Sequence, residues 1–170
     1  MGDKPLVIML CTGNAARSVM AGALLDTYGA GVRIATAGTH VVEHQPMSVR
    51  TREALAGVGL DVSGHRSRQL TDTDVESADL VVAMASEHVR FVRRRHPAAT
   101  SRTATIAWLA RNLPAGPAPL ADRVASLDLA GLDPDDQGDV VDPAGGDQQD
   151  YDQCARTLAT LVSELAARLD

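Results

Sequence analysis

The stretch that decides the fold is Leu6–Ser18, which reads LVIMLCTGNAARS. It opens with five consecutive apolar residues, Leu6 to Leu10, a pattern typical of a strand that is buried on both faces. A short polar loop follows, and helix-forming residues come directly after the loop. This order predicts a loop at the carboxyl end of a strand, which is where open α/β sheets bind their ligands.

The loop has the residues that an anion-binding cradle requires. Successive backbone N–H groups with a helix N-terminus behind them bind phosphate well, and Gly13 and Asn14 tolerate the positive φ of a tight turn. Arg17 comes six positions after Cys11 and can place its planar guanidinium against two phosphate oxygens. Such electropositive surroundings favour the thiolate form of Cys11, which is the nucleophilic form, and Ser18 can donate a hydrogen bond to it.

Neither the cysteine nor the spacing is sufficient evidence by itself. A cysteine at a strand end is often a small core residue, and Cys-x5-Arg occurs frequently by chance. The preceding strand, the Gly13-Asn14 pair and the following helix make the combination rarer. We therefore interpret residues 11–18 as a phosphate-binding loop with a nucleophile at its base.

Attack by a thiolate on a phosphate ester also requires an acid that protonates the leaving group. The best candidate is Asp142 in the sequence DVVDPAGG, residues 139–146, where Pro143 and two glycines indicate a loop just before the last helix. Asp133 also precedes a proline, but it lies in a polar stretch and is more typical of a turn. We expect Asp142 to be the general acid.

Strands and helices alternate along the rest of the chain. This alternation predicts a parallel sheet with helices on both faces. Further strands are expected at Val32–Gly38 and Asp79–Met84, and helices at Val19–Gly29, from Pro46 to Val58, at Ser86–His96 with Ser86 as N-cap, and at Tyr151–Leu169. The stretch Thr103–Ala110 fits a strand or a helix equally well, and the stretch from Leu113 to Asp139 is expected to be a surface connection with one short helix.

Composition limits the class of protein. The chain has 170 residues, 45% of them hydrophobic, which is enough for one domain over residues 1–170. A formal net charge of −6 argues against a partner that is a nucleic acid or an anionic membrane. The start has neither a charged leader nor a long apolar run, and Gly2 does not open a myristoylation motif, so a cytoplasmic location is expected. Two cysteines are too few for a disulfide framework.

At this point the sequence resembles the low-molecular-weight protein tyrosine phosphatase family, including the related bacterial protein arginine phosphatases. The resemblance rests on VIMLCTGNAARSVMAGALL, ATAGT, LDVSGHRSRQL, ESADLVVAMASEH and VVDPAGG, in the family's order. It leaves residues 113–138 as a poorly matched, loop-rich insert. It implies a three-layer α/β fold with a four-stranded parallel sheet, and a two-step reaction that needs no metal or other cofactor.

The resemblance also implies roles for individual residues. Cys11 would form a cysteinyl-phosphate, Arg17 would bind the phosphoryl oxygens, and Asp142 would protonate the leaving group and then activate water. Asn14, Ser18 and His65 would support the loop. The phosphate would be held by the loop residues Thr12, Gly13, Asn14, Ala15, Ala16, Arg17 and Ser18.

The departures from the family bear on the substrate. Relatives that act on phosphotyrosine have aromatic residues after the AGT strand and after the Asp-Pro pair, where this chain has HVVEH and Ala144. His40 or His44 is a candidate for a replacement wall. Ala16 stands where many relatives have a second loop cysteine, and Cys154, expected to be buried, is a poor partner for the disulfide relay of related arsenate reductases.

Several substrates and one different class of function remain open. Phosphotyrosine in a protein ranks first because it is the family's common substrate. Phosphoarginine is favoured by Thr12, which directly follows the cysteine as in the arginine phosphatases, although those relatives also have an aromatic residue where this chain has Ala144. Small walls would admit a sugar phosphate or another small phosphate ester. Phosphate would be the product, and the oligomeric state is open. The alternative class is a phosphate-binding module without catalytic activity.

Overall fold

The computed structural model describes residues 3–170, so the expectation for Gly2 lies outside it. Four parallel strands form one sheet in the order β2-β1-β3-β4. The two central strands are β1 and β3, and all carboxyl ends lie at the same edge. The strands are β1 (Leu6–Cys11), β2 (Arg33–Gly38), β3 (Leu80–Ala83) and β4 (Thr103–Thr105).

In residues 3–170, seven α-helices cover the two faces of the sheet, which confirms the expected three-layer α/β architecture. Side chains of α1, α2, α5, α6 and α7 build the larger core on one face, and those of α3 and α4 build a smaller core on the other. The helices are α1 (Arg17–Asp26), α2 (Val49–Gly57), α3 (Asp72–Ser77), α4 (Ser86–Arg95), α5 (Ile106–Asn112), α6 (Leu120–Ala125) and α7 (Gln148–Leu169).

Strand β1 divides its side chains between the two cores, as the continuous apolar run predicts. Val7, Met9 and Cys11 face the larger core, while Ile8 and Leu10 face the smaller one. Burying each large aliphatic side chain contributes roughly 1.5–3 kcal/mol, so the register of this strand is strongly determined. The same alternation places the Cys11 side chain on the face that α7 covers.

Several predicted boundaries differ from the structure by a few residues. The helix expected from Pro46 begins at Val49, because the Ser48 hydroxyl accepts a hydrogen bond from Thr51 N–H and caps it there. The ambiguous stretch 103–110 contains both elements, since β4 ends at Thr105 and α5 starts at the next residue.

Ser86 is the first residue of α4 and not its N-cap, which is Ala85. Two side chains take over the capping, one from the helix itself and one from far along the sequence. The His88 ring accepts a hydrogen bond from Ala85 N–H at 3.1 Å, and the Asp139 carboxylate accepts one from Ser86 N–H at 2.7 Å. The Ser86 prediction was wrong because the His88 side chain binds the Ala85 N–H group and because Asp139 meets the helix only in the folded chain.

The stretch from Leu113 to Asp139 contains the one expected short helix, α6, and two 3₁₀ turns. It is not merely a surface connection. Leu113 and Leu129 are fully buried, and Leu120 and Val124 nearly so, all in the larger core. Gln137 is also fully buried, where its side-chain oxygen accepts a hydrogen bond from Thr105 N–H and so binds the segment to β4.

Helix α7 begins at Gln148, three residues before the expected start, because Asp147 and Asp150 form a capping box. Its apolar face lies in the larger core, where Val162 is fully buried and Leu161 partly buried. Within residues 3–170, no helix is both long enough and apolar enough to span a lipid bilayer.

Candidate active site

The loop after β1 is a tight turn around a buried asparagine. Asn14 has a φ of +51° and is completely buried. Its side-chain nitrogen donates to Ser18 Oγ and to Thr36 Oγ1, both at 2.9 Å, and its oxygen accepts from Arg68 N–H at 3.0 Å. His65 Nε2 lies 2.7 Å from the Asn14 carbonyl oxygen. Four residues from three segments of the chain, α1, β2 and residues 65–68, therefore hold this one residue in its left-handed conformation.

The backbone N–H groups of residues 12–16 donate to no atom within residues 3–170. Among the described residues no side chain caps the start of α1, and the first turn of this helix has no acidic residue. Free N–H groups and the positive end of a helix dipole favour an anion at this position. The loop therefore has the geometry and the polarity of a phosphate cradle.

Cys11 and Ser18 lie side by side at the base of the loop. The Cys11 sulfur is 3.0 Å from Ser18 Oγ, and both side chains are buried. Because Ser18 Oγ already accepts a hydrogen bond from Asn14, its own hydrogen is available to the sulfur. This arrangement gives the sulfur a hydrogen-bond donor at the otherwise apolar end of β1.

Arg17 joins the loop to the Asp142 segment. It is only 3% exposed, and its guanidinium donates to the Val140 carbonyl oxygen at 3.1 Å and to Asp142 Oδ2 at 2.8 Å. The Asp142 side chain is 44% exposed, and its other oxygen accepts from Ala144 N–H. Val140 N–H in turn donates to the Met84 carbonyl oxygen just beyond β3, so the sheet edge itself places the carboxylate beside the arginine.

The end of β2 supports the loop from the other side. Thr39 N–H and His40 N–H donate to the carbonyl oxygens of Cys11 and Thr12, both at 3.0 Å. The backbones come so close that a Cβ on Gly38 would lie 2.5 Å from the Thr12 carbonyl oxygen. Only glycine fits at Gly38 without moving the loop.

A buried histidine that the sequence analysis did not single out contacts Thr12. His88, on α4, is 1% exposed, and its Nε2 lies 2.9 Å from Thr12 Oγ1. Burial, and after it the Arg17 guanidinium, lower the pKa of His88 to about 3, so the ring is neutral. Its neighbour Glu87 is exposed and places Oε1 3.5 Å from Thr12 Oγ1.

A cavity of about 250 Å3 lies over the loop. Its walls outside the loop are formed by Ser48, Thr51, Asp142, Ala144 and Tyr151. Tyr151 is the aromatic wall, and neither His40 nor His44, the sequence-based candidates, lines the cavity. Thr51 also donates to the Ala15 carbonyl oxygen at 3.0 Å, which connects α2 to the loop.

The structure thus brings together Cys11, the loop residues 12–18, His65 and Asp142, whereas the candidate walls His40 and His44 do not line the cavity. Cys154 lies outside the loop in the larger core, where burial raises the pKa of its thiol to about 12. Within residues 3–170, no three His, Cys, Asp or Glu side chains are grouped so that they could hold a metal ion. The residues that were missed, Glu87, His88 and Tyr151, lie far from the loop in sequence and look like ordinary helix residues.

The family model described as "Low molecular weight phosphotyrosine protein phosphatase" matches residues 6–115. The protein-arginine-phosphatase of Geobacillus stearothermophilus is 31% identical over 164 residues, which cover 96% of this chain and 95% of that protein. The solved YwlE arginine phosphatase of Geobacillus stearothermophilus superimposes with a TM-score of 0.79 and 31% identity, covering 97% of this chain and 92% of that one.

A tyrosine phosphatase is similar to about the same degree. The solved low molecular weight protein tyrosine phosphatase of T. tengcongensis superimposes with a TM-score of 0.74 and 30% identity, and the match covers 95% of this chain and 97% of that one. Two lines of comparison, sequence and fold, therefore agree with the resemblance that the loop indicates. The chain belongs to the low molecular weight phosphotyrosine protein phosphatase family and is a hydrolase of that family.

Proposed function

We propose that this protein hydrolyses phosphorylated proteins through a cysteinyl-phosphate on Cys11. The observation that carries the proposal is the meeting of Arg17 and Asp142, 2.8 Å apart, over a loop of free N–H groups with Cys11 at its base. A binding module needs the cradle and the arginine, but it has no use for a carboxylate aimed at the same place. That pairing supports a catalyst over a phosphate-binding module.

In the first step, the Cys11 thiolate attacks phosphorus while the bond from phosphorus to the leaving group breaks. The loop N–H groups and Arg17 neutralise the charge on the non-bridging oxygens. Protonated Asp142 gives its proton to the departing oxygen or nitrogen. The products are a cysteinyl-phosphate and the dephosphorylated protein.

In the second step, the Asp142 carboxylate takes a proton from a water molecule whose oxygen attacks phosphorus. The sulfur–phosphorus bond breaks, the Cys11 thiolate is restored and orthophosphate leaves. Ser18 stabilises the sulfur as it departs, because its hydroxyl hydrogen is directed to it. Atoms and charge balance over the two steps with water as the only co-substrate.

We propose protein phosphoarginine as the substrate, ahead of the phosphotyrosine that the sequence analysis ranked first. A guanidinium group presents several N–H donors and needs acceptors near the scissile bond. Glu87 supplies a carboxylate 3.5 Å from Thr12 Oγ1, and Asp142 supplies a second one, which Arg17 binds while it also contacts Thr12. The residue after the Asp-Pro pair is Ala144, which offers no ring on which a phenyl group could stack.

Protein phosphotyrosine is the second candidate, and one observation favours it. Tyr151 lines the cavity from α7 and provides an aromatic surface that the sequence pattern did not reveal. It is 8% exposed, so most of its ring packs in the larger core. The wall that it offers is therefore smaller than that of a fully exposed ring.

The test is phosphate release from two peptides of matched sequence, one with phosphoarginine and one with phosphotyrosine. The assay is run in EDTA near neutral pH, because N-phosphoguanidines hydrolyse spontaneously in acid, with Cys11→Ser as the blank. We expect a higher kcat/KM for phosphoarginine. Glu87→Gln should lower that value about threefold to tenfold and leave the phosphotyrosine value unchanged.

Glu76→Gln is the matched control, because it removes the same charge from an exposed position on α3. A preference for phosphotyrosine would contradict the substrate proposal and leave the chemistry in place. Cleavage of a small aryl phosphate alone would point to a small phosphate ester. No turnover of any phosphate ester, combined with tight phosphate binding, would mean that the protein is a binding module.

A further inference from the structure

The contact between Thr12 and the buried His88 carries an inference beyond the catalytic residues. The His88 ring makes two hydrogen bonds, one at each nitrogen. Nδ1 lies 3.1 Å from Ala85 N and Nε2 lies 2.9 Å from Thr12 Oγ1. Helix α4, which starts at the carboxyl end of β3, thus delivers a polar group to the phosphate loop on β1.

The partners of the ring determine which nitrogen carries the hydrogen. A backbone N–H can only donate, so Nδ1 must present its lone pair to Ala85. In a neutral imidazole the hydrogen then resides on Nε2. The Nε2–H group consequently donates to Thr12 Oγ1.

This direction constrains the Thr12 hydroxyl. A hydroxyl oxygen has two lone pairs and one hydrogen. The His88 Nε2–H group donates to one lone pair of Thr12 Oγ1 at 2.9 Å, and Arg17 Nη2 donates to the same oxygen at 3.4 Å, which uses the other lone pair. The hydroxyl hydrogen is left for the carboxylate oxygen of Glu87, which lies 3.5 Å from Thr12 Oγ1 and 3.4 Å from His88 Nε2.

We propose that His88 is a positioning residue that keeps the Thr12 hydroxyl as a hydrogen-bond donor toward Glu87. The Thr12 hydroxyl then holds one carboxylate oxygen of Glu87 in place, and the second oxygen is available to a cationic group of the substrate. Without the imidazole, the hydroxyl would turn freely and Glu87 would lose this neighbour. The proposal deepens the proposed function, and it rests on it in placing the scissile bond at this loop and in the cationic substrate that Glu87 would meet.

The test is a double-mutant cycle with His88→Phe and Thr12→Val. The readout is kcat/KM for the phosphoarginine peptide divided by kcat/KM for a small aryl phosphate, because the folded fraction of each variant cancels in this ratio. We expect each substitution to lower the ratio about threefold to tenfold, and the double variant to lower it no further. His88→Gln should restore part of the ratio, because its amide can accept from Ala85 and donate to Thr12.

Val92→Ala is the matched structural control. It weakens the packing of the same helix at a fully buried position in the smaller core and should leave the ratio unchanged. Fully multiplicative effects of the two substitutions, or an unchanged ratio in His88→Phe, would overturn the proposal.

A second measurement separates this proposal from the choice of substrate. NMR of the ring nitrogens should show neutral His88 with its hydrogen on Nε2 at pH 6–8, and Thr12→Val should shift the Nε2–H resonance. A hydrogen on Nδ1, a charged ring or a resonance insensitive to Thr12→Val would overturn the His88 assignment. If the wild type fails to cleave phosphoarginine while these NMR results hold, only the substrate proposal fails.

Discussion

At the scale of single residues, the two cysteines of the chain both face the larger core but differ in their polar neighbours. Cys11 lies among hydrogen-bond donors at the loop, whereas Cys154 is enclosed by the larger core, where burial raises the pKa of its thiol to about 12. Alkylating reagents react with thiolates. In the folded protein we therefore expect iodoacetamide to add one group, on Cys11, and inorganic phosphate to slow the reaction.

Peptide mass mapping identifies the modified residue. Cys11→Ser should take up no label until the protein is unfolded, and Cys154→Ala should label and turn over substrate like the wild type. Label on Cys154 in the folded protein would contradict the prediction.

Gly38 shows how little space separates β2 from the loop. Gly38→Ala should lower kcat/KM severely and destabilise the fold by about 1–3 kcal/mol, because the new Cβ meets the Thr12 carbonyl oxygen and the Val41 side chain. Activity and urea unfolding measure both effects.

Gly57→Ala is the matched control for Gly38. A Cβ at that position, at the end of α2, meets nothing within 4 Å, so neither activity nor stability should fall. If Gly38→Ala retains full activity, the close approach of the two backbones has no functional importance.

At the scale of elements, the sequence predicted those strands and helices that are determined by residues adjacent in the chain. The run Leu6–Leu10 specifies β1 because both of its faces are buried, and the cap of α2 at Ser48 differs from the prediction by only a few residues. The start of α4 was misjudged because Asp139 and His88, rather than Ser86, bind its first N–H groups.

Helix α4 also gives the fold a pH dependence. The pKa of His88 is about 3 in the folded protein because of burial and Arg17, against about 6.5 in an unfolded chain. Asp142, Asp139 and His40 also face the ring, and the first two partly offset the shift. Below pH 6.5 the unfolded chain binds a proton that the folded protein does not, so acid favours unfolding.

The stabilising contribution of neutral His88 is thus complete above pH 6.5 and declines as the pH falls toward 3. The free energy of unfolding should decline by up to about 1.4 kcal/mol per pH unit from this group. Urea unfolding at several pH values, compared between the wild type and His88→Phe, measures the slope. Equal slopes in the two proteins would contradict the assignment of a neutral buried ring.

At the scale of the whole molecule, the segment 113–138 is part of the core and not an appendage. Leu129→Ala should destabilise the protein by about 2–5 kcal/mol, because this fully buried side chain leaves a cavity in the larger core. Leu127→Ala is the matched control, since Leu127 is only partly buried in the same segment.

Urea unfolding of the two leucine variants tests this prediction. A loss from Leu127→Ala as large as that from Leu129→Ala would contradict it. The sequence predicted a surface loop because prolines, glycines and aspartates are frequent in this segment. Its four buried core residues are widely spaced between them, namely Leu113, Leu120, Val124 and Leu129.

The site was predictable to the extent that it is local in sequence. Cys11 to Ser18 lie in eight consecutive residues, and Asp142 follows an apolar run that marks the sheet edge. His88, Glu87 and Tyr151 reach the same place only because β1, β3 and α7 are neighbours in the fold. A histidine within a charged helix carries no sign in the sequence that it will be buried against a threonine 76 residues away.

In the ion pair between Arg17 and Asp142, the carboxylate competes with oxyanion ligands for the Arg17 guanidinium. A phosphate that binds the guanidinium must first displace the Asp142 carboxylate. The apparent affinity for phosphate is therefore reduced according to the fraction of molecules in which the ion pair is closed. Asp142→Asn should bind inorganic phosphate about twofold to fivefold more tightly while turning substrate over more slowly. Titration calorimetry would show it, and weaker binding would mean that the carboxylate does not oppose the ligand. Tight retention of the product is thereby avoided by the same group that we assign to proton transfer.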